Sequence, residues 1–201
     1  MTSPDQPDRL SVVAHELRNA VAALSALAER AERRDLPVET VRRLASLAVA
    51  SGRDIERLLS DPDLLSLELA DISLTDVVGP YLGERVTGTI QDVTLLGDQT
   101  RLRQAVANLV ANGLRHGTTV TIDARSLGEW VVIDVHDDGP GVAEGVDVFA
   151  EGVSGAGSTG YGLWLAEAIA EAHGGALGLV PSSVAGATFR LAVPRSPAVR
   201  G

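Results

Sequence analysis

The 201-residue chain contains no cysteine and no lysine, only 3% aromatic residues, and no apolar run approaching the length of a membrane span. Without cysteine there is no disulfide, thiolate metal site or thiol nucleophile. All 17 basic residues are arginine, so amine chemistry through lysine is excluded. With aromatics scarce, the core must come from Leu, Val and Ala, for which the 45% hydrophobic fraction is enough. Positive charge is also in deficit. A formal net charge of −10 argues against non-specific binding to nucleic acid or to an anionic membrane. The opening residues MTSPDQPDRL lack the pattern of a signal peptide. The expectation is a soluble, cytoplasmic protein without membrane insertion, comprising one ordinary domain or a small domain with a dimerising appendage.

What the chain has in quantity is glycine, concentrated where it matters most. Residues 131–135 (VVIDV) are β-branched and alternating, as a half-buried strand requires. They run into Asp137-Asp138-Gly139-Pro140-Gly141, where extension stops. A second cluster, Gly152, Gly155, Gly157, Gly160 and Gly162, opens directly into the apolar run Leu163-Trp164-Leu165-Ala166. A glycine-rich segment before a helix N-terminus suits an anion, because backbone N–H groups can approach it without Cβ interference. Taken alone, the same pattern also fits a surface loop with a helix cap.

Upstream, residues 8–34 place Leu10, Val13, Leu17, Val21, Leu24 and Leu27 at three- and four-residue steps. That is the stripe of an amphipathic helix. After a break at Asp35-Leu36-Pro37, residues 38–59 repeat it, giving an antiparallel helical hairpin. One hairpin has little against which to bury its stripes. Pairing two into a four-helix bundle predicts a homodimer through residues 8–59. His15 and Asn19 are four apart on one face of the first helix, off the centre of its apolar stripe; a lone surface histidine usually does nothing.

Asp61-Pro62-Asp63 ends the hairpin and predicts a boundary between a helical region, residues 1–61, and a second domain, 62–195, with a tail at 196–201. Within that domain the pattern predicts a helix from about Thr75 to Val86, capped by Thr75 or Asp76, and a strand over residues 89–95. Gly97-Asp98 then precedes a long helix, 101–116, ended by Gly117. Strands at 120–124 and 130–135 follow, then a helix over 161–173 and a hairpin of 176–181 with 187–193. Strands and helices mix without regular βαβ alternation, so the domain is expected to be an α/β sandwich, a mixed sheet covered on one face by helices. Asn108, Asn112, Arg115 and His116 share one face of the long helix, opposite Leu102, Val106, Leu109 and Val110. Amide oxygens suit Mg²⁺ and a guanidinium suits phosphate.

The order of these motifs resembles the transmitter core of sensor histidine kinases of two-component systems, over nearly the whole chain. His15-Glu16-Leu17-Arg18-Asn19 looks like the phosphoacceptor H-box, and residues 108–116 like the N-box. Residues 137–141 look like the G1 box, Phe149 like the F-box residue, and Gly160-Tyr161-Gly162-Leu163 like the G2 box. The resemblance implies an α+β chain in which a dimeric helical hairpin precedes a Bergerat, GHKL-type ATP-binding domain. It implies a protein-histidine kinase using ATP and Mg²⁺. Asp137 would accept the adenine amino group, with Gly139 and Gly141 shaping the base pocket. Asn112, with Asn108 near, would ligate Mg²⁺, and Arg115 and His116 would contact phosphates. Residues 142–159 would form an ATP lid, and the N–H groups of Gly160, Tyr161, Gly162 and Leu163 would hold the triphosphate. His15 would be autophosphorylated, with Glu16 accepting its proton, and the phosphoryl group would pass to a response regulator receiver domain. Asn19 matches the family position that orients water for dephosphorylating that partner, which implies phosphatase activity as well.

Three features depart from the family pattern. Ala20 stands where a proline usually follows the H-box arginine. The stretch 142–159 contains no Arg or Lys, which implies slow autophosphorylation. Only fourteen residues precede His15, so the signal would come from a separate sensor protein, unless the chain is a cut-down core. The main alternative is a dimeric histidine phosphotransferase that relays phosphate between response regulators without ATP. Intact Asn112, Asp137 and Gly160–Gly162 argue against it.

Overall fold

The computed structural model describes residues 66–142, 161–181 and 185–196, with scattered positions between 25 and 52. Of the scattered positions, residues 25, 28, 29, 38–42, 45, 49 and 52 are helical. Pro37 lies outside the helix, and its carbonyl accepts from the Val41 amide at 3.1 Å. The remainder of the expected hairpin, including His15, Glu16 and Asn19, lies outside the described residues. So do Phe149, Gly160 and the expected boundary at 61–63.

Leu65–Val146 with Gly162–Gly201 makes up one compact unit, whose described part is built on two sheets. β1 (Ala70–Ser73) pairs antiparallel with β3 (Thr94–Gly97) in a two-stranded ribbon. The larger sheet has the order β2-β4-β5-β7-β6, from β2 (Val86–Ile90), β4 (Val120–Leu127), β5 (Trp130–Asp137), β7 (Thr188–Pro194) and β6 (Ala176–Val180). Only β2 and β4 pair in parallel; the other neighbours are antiparallel. The mixed sheet expected from the sequence is therefore present.

The two faces of that sheet have different chemistry. Val120, Ile122 and Ala124 of β4, Val131, Ile133 and Val135 of β5, and Phe189, Leu191 and Val193 of β7 are all buried. Each fully buried Val, Ile, Leu or Phe among them contributes about 1.5–3 kcal/mol relative to exposure. On the other face, the carboxylate of Asp134 takes a fork of two bonds from Arg190, Nε at 2.6 Å and Nη2 at 2.7 Å. Arg125 Nη1 reaches the same carboxylate at 3.1 Å and also pairs with Asp123. Register forces this clustering, since Asp123 pairs with Asp134 on β4–β5 and Asp134 with Arg190 on β5–β7.

The helices are α1 (Leu74–Val78), α2 (Gln99–His116) and α3 (Tyr161–Ala172). α2 starts where Asp98, in extended conformation, accepts from the Arg101 amide through Oδ1 at 3.0 Å. Its buried stripe is Leu102, Ala105, Val106, Leu109, Val110 and Gly113. It stops at Gly117, whose N–H bonds the Gly113 carbonyl at 2.7 Å.

Several expectations need correction. The helix predicted from Thr75 to Val86 has only five α-helical residues, because Gly79-Pro80 tighten the chain into a 3-10 turn, Gly79–Tyr81. Its cap is Ser73, which accepts from the Thr75 amide; neither Thr75 nor Asp76 plays that part. The strand expected over 89–95 is two strands, β2 and β3, separated at residues 91–93. β5 is half-buried as expected, with Trp130 exposed and Asp134 and His136 partly exposed on its second face, although Val132 on that face is covered, at 2% exposure.

Candidate functional site

The site is assembled where the C-terminal end of β5 meets the C-terminal half of α2. Asp137 is the last residue of β5, pairs with Val120, and is only 3% exposed. Its Oδ1 accepts from the Gly139 amide at 2.9 Å and from the Ala187 amide at 3.3 Å. No described residue donates to Oδ2. A buried carboxylate with one oxygen anchored by backbone and the other without a donor among the described residues is poised to accept from an external N–H donor.

Glycine makes the surroundings possible. A Cβ on Gly113 would come 2.7 Å from Val120 Cγ2 and 3.4 Å from Asp137 Cβ, so α2 seats on β4 and β5 only because that residue has none. Gly186, at φ +101°, lies so close that a Cβ would fall 1.7 Å from the Asp137 carbonyl oxygen. Gly141 takes φ +76° against the Gly186 carbonyl. The site motifs in the sequence include Gly139 and Gly141, whereas Gly113 reads only as part of a helix and Gly186 only as a hairpin turn. The adjoining pairs Asn112-Gly113 and Ala185-Gly186 read as helix and turn, and only the tertiary contact shows their use.

The polar face of α2 has the exposure its pattern predicted. Asn108 and Asn112 are half-buried, while Arg115 and His116 in the last turn are exposed. Neither of the last two has a side-chain hydrogen bond or ion pair among the described residues. Asn108 Nδ2 is buried without a partner. A Cβ built on Gly162 would lie 3.8 Å from Asn108 Cβ, Cγ and Oδ1, so the start of α3 comes up against the middle of α2. Gly162 and Leu163, half-buried in the first turn of α3, therefore stand beside an amide that lacks an acceptor. Tyr161 opens the same helix. An oxyanion placed there would find orphan helix N–H groups and the Asn108 amide together.

Asp138, which the sequence reading quoted in its motif without giving it a role, is exposed and turned to the segment joining α2 to β4. It accepts from the Thr118 and Thr119 amides at 2.6 and 3.0 Å and from their hydroxyls at 2.5 and 2.9 Å. The Thr118 hydroxyl is the strongest of these influences, and the set holds the Asp138 carboxyl well below the usual carboxylate range. Among the described residues there is no cluster of three His, Cys, Asp or Glu side chains able to hold a metal by itself.

Comparison with known proteins agrees with this architecture. The family described as histidine kinase-, DNA gyrase B-, and HSP90-like ATPase matches residues 97–197. The "Probable sensor histidine kinase TcrY" of Mycobacterium tuberculosis is 35% identical over 86% of this chain and 38% of its own length. Across the first curated relatives, the chain spans between 38% and 58% of their lengths. The solved ATP-binding domain of PrrB from Mycobacterium tuberculosis is 28% identical, with a TM-score of 0.52, covering 64% of this chain and 98% of that one. The Acinetobacter baumannii histidine kinase AdeS has a TM-score of 0.57 at 18% identity, covering 90% and 98% of the two chains, and is similar in fold.

Proposed function

Because the chain belongs to the family of histidine kinase-, DNA gyrase B- and HSP90-like ATPases, we propose that it is the catalytic core of an ATP-dependent protein-histidine kinase. The observation that carries this reading is the Asp137 carboxylate, buried and oriented through Oδ1, with no described residue donating to Oδ2. The amino group of adenine is the donor that fits it. The solved PrrB structure is of that protein's ATP-binding domain, and the same ligand is proposed here.

The remaining groups fit a nucleoside triphosphate bound with Mg²⁺. The unpartnered Asn108 amide lies beside Gly162, and the N–H groups of Gly160, Tyr161, Gly162 and Leu163 are the proposed seat of the phosphates. Arg115 and His116 supply further donors. Asn112 offers an amide oxygen, a hard donor suited to Mg²⁺, which binds few protein groups and fills its shell with water and phosphate oxygens. When bound, the ion would neutralise charge on the phosphates.

In the proposed reaction a ring nitrogen of His15 attacks the γ-phosphorus. The bond to the β-phosphate oxygen breaks, ADP leaves, and Glu16 takes the proton from the second ring nitrogen. The phosphoryl group then passes to an aspartate of a response regulator. Asn19 is proposed to orient the water that later removes it. The hairpin of residues 1–61 is proposed to form the four-helix dimer that presents His15 to the domain of residues 62–195.

Incubation with γ-labelled ATP and Mg²⁺ tests the reading. Acid-labile, alkali-stable label on the wild type that vanishes in His15→Ala and in Asn112→Ala is the expected result. A chain that binds no ATP, yet accepts phosphate from a phosphorylated regulator, would instead be a phosphotransferase.

A further inference from the structure

We propose that Asp138 is a positioning residue that fixes the C-terminal end of α2, and thereby Arg115 and His116, for recognition of a nucleotide's phosphates. The assignment rests on the ATP-binding reading above and deepens it.

Asp137 is buried beneath Gly113 of α2, whereas its exposed neighbour Asp138 reaches across to the α2–β4 connection. There it takes four hydrogen bonds from two consecutive residues, both amides and both hydroxyls of Thr118 and Thr119. Two glycines let the backbones close to this distance. A Cβ on Gly117 would come 2.4 Å from Asp138 Oδ1, and one on Gly139 would come 2.7 Å from the His116 carbonyl oxygen. The Asp138 carboxylate thus adds four side-chain bonds to the backbone contacts, Asp138 N–H to the Thr119 carbonyl and the Val120–Asp137 pairing, that bring the end of α2 to the 137–139 turn. Arg115 and His116 are the two residues immediately before Gly117 and have no other side-chain tie among the described residues. Their placement relative to Asp137 depends on this clamp.

The pattern of bonds makes a specific prediction about substitutions. Oδ1 receives the two backbone N–H groups, and Oδ2 the two hydroxyls. An asparagine can keep all four, its oxygen accepting from the amides and its NH₂ donating to the hydroxyls, which rotate to accept. Alanine keeps none.

The test compares ATP with adenosine, which has the base but no phosphates. In Asp138→Ala, ATP affinity should fall about tenfold, the size expected for loss of charge-assisted contacts, while adenosine affinity stays within about twofold. Asp138→Asn should match wild type for both ligands, and Thr119→Val should fall between. An unchanged ratio of ATP to adenosine affinity in Asp138→Ala would overturn the assignment, and so would Asp138→Asn behaving like Asp138→Ala. Failure of the wild type to bind ATP would overturn the functional reading, and this assignment with it.

Discussion

The imidazole Nε2 of His173 accepts a hydrogen bond from the backbone amide of Asp98 at 3.0 Å, joining the residue after α3 to the cap of α2. Nδ1 lies 2.8 Å from the Ile169 carbonyl, so that nitrogen carries the proton and the ring is neutral. Asp98 meanwhile accepts from the Glu68 amide at 2.8 Å and from Arg101, so three segments converge on one buried cap. Burial opposes ionisation of Asp98, but those amides outweigh it and lower its pKa.

This arrangement predicts a pH-dependent stability. Burial lowers the His173 pKa from its ordinary 6.5, despite the opposing influences of the Ile169 carbonyl and Asp98. Between the two values the unfolded chain binds more protons than the folded one, so stability there rises with pH. Its contribution is complete above 6.5 and is lost as pH falls through the lowered folded value. Urea midpoints should therefore drop between about pH 7.5 and about pH 5.5. His173→Ala should lose about 1–3 kcal/mol at the higher pH, by orphaning the Asp98 amide, and show a flatter pH dependence. A variant with the wild-type slope would place the titrating group elsewhere.

The sequence disclosed α2 well, because Asp98 and Gly117 mark its ends with side-chain and backbone chemistry that acts locally. Asp137 stood out through the family resemblance of its motif, and the structure adds that it is buried at the end of β5. The relationships that depend on packing stayed hidden. Nothing in Asn112-Gly113 says that β4 and β5 press on that glycine, and His173 reads merely as a helix end. The shortened α1 was missed for the opposite reason: the apolar period continues through Gly79-Pro80, but backbone chemistry stops the helix there. Asp138 was visible as part of a motif, yet its four partners are nineteen and twenty residues away.

The outer sheet face carries its own prediction. The forked pair of Asp134 and Arg190 joins side chains that are 13% and 34% exposed. Burial works against the Asp134 charge, but the bonds from Arg190 and Arg125 prevail and lower its pKa. Asp134→Ala should destabilise the domain by about 1–2 kcal/mol, less than a fully buried pair because water screens the arginines. Its contribution is present above the ordinary carboxylate value of 3.8 and is lost as pH falls through the lowered folded value. A double-mutant cycle with Arg190→Ala, read by thermal melting, should show coupling; simple additivity would deny the pair any net role.

Gly113 offers a steric test. Ala at this position puts a methyl group 2.7 Å from Val120 Cγ2, which is relieved by turning the buried Val120 side chain or by shifting β4 against α2. Gly113→Ala should cost about 1–3 kcal/mol, outweighing the helix-propensity gain of about 1 kcal/mol that the same change brings in a free helix. Chemical denaturation decides the sign: a stabilised variant would mean that Val120 or β4 yields easily.

The proposed role of Asp137 can be reversed chemically. In Asp137→Asn the amide oxygen can take the place of Oδ1, accepting from Gly139 and Ala187, so the fold should survive. The position of Oδ2 then carries an NH₂, which faces the adenine amino group donor to donor. ATP affinity should fall at least about tenfold, since a buried donor on each side loses its acceptor. Inosine triphosphate, with a carbonyl in place of that amino group, presents an acceptor to the new NH₂ and should bind the variant better than it binds wild type. Calorimetric titration of both nucleotides against both proteins reads the exchange. Equal losses for the two would show that Asp137 supports the pocket's shape without reading the base.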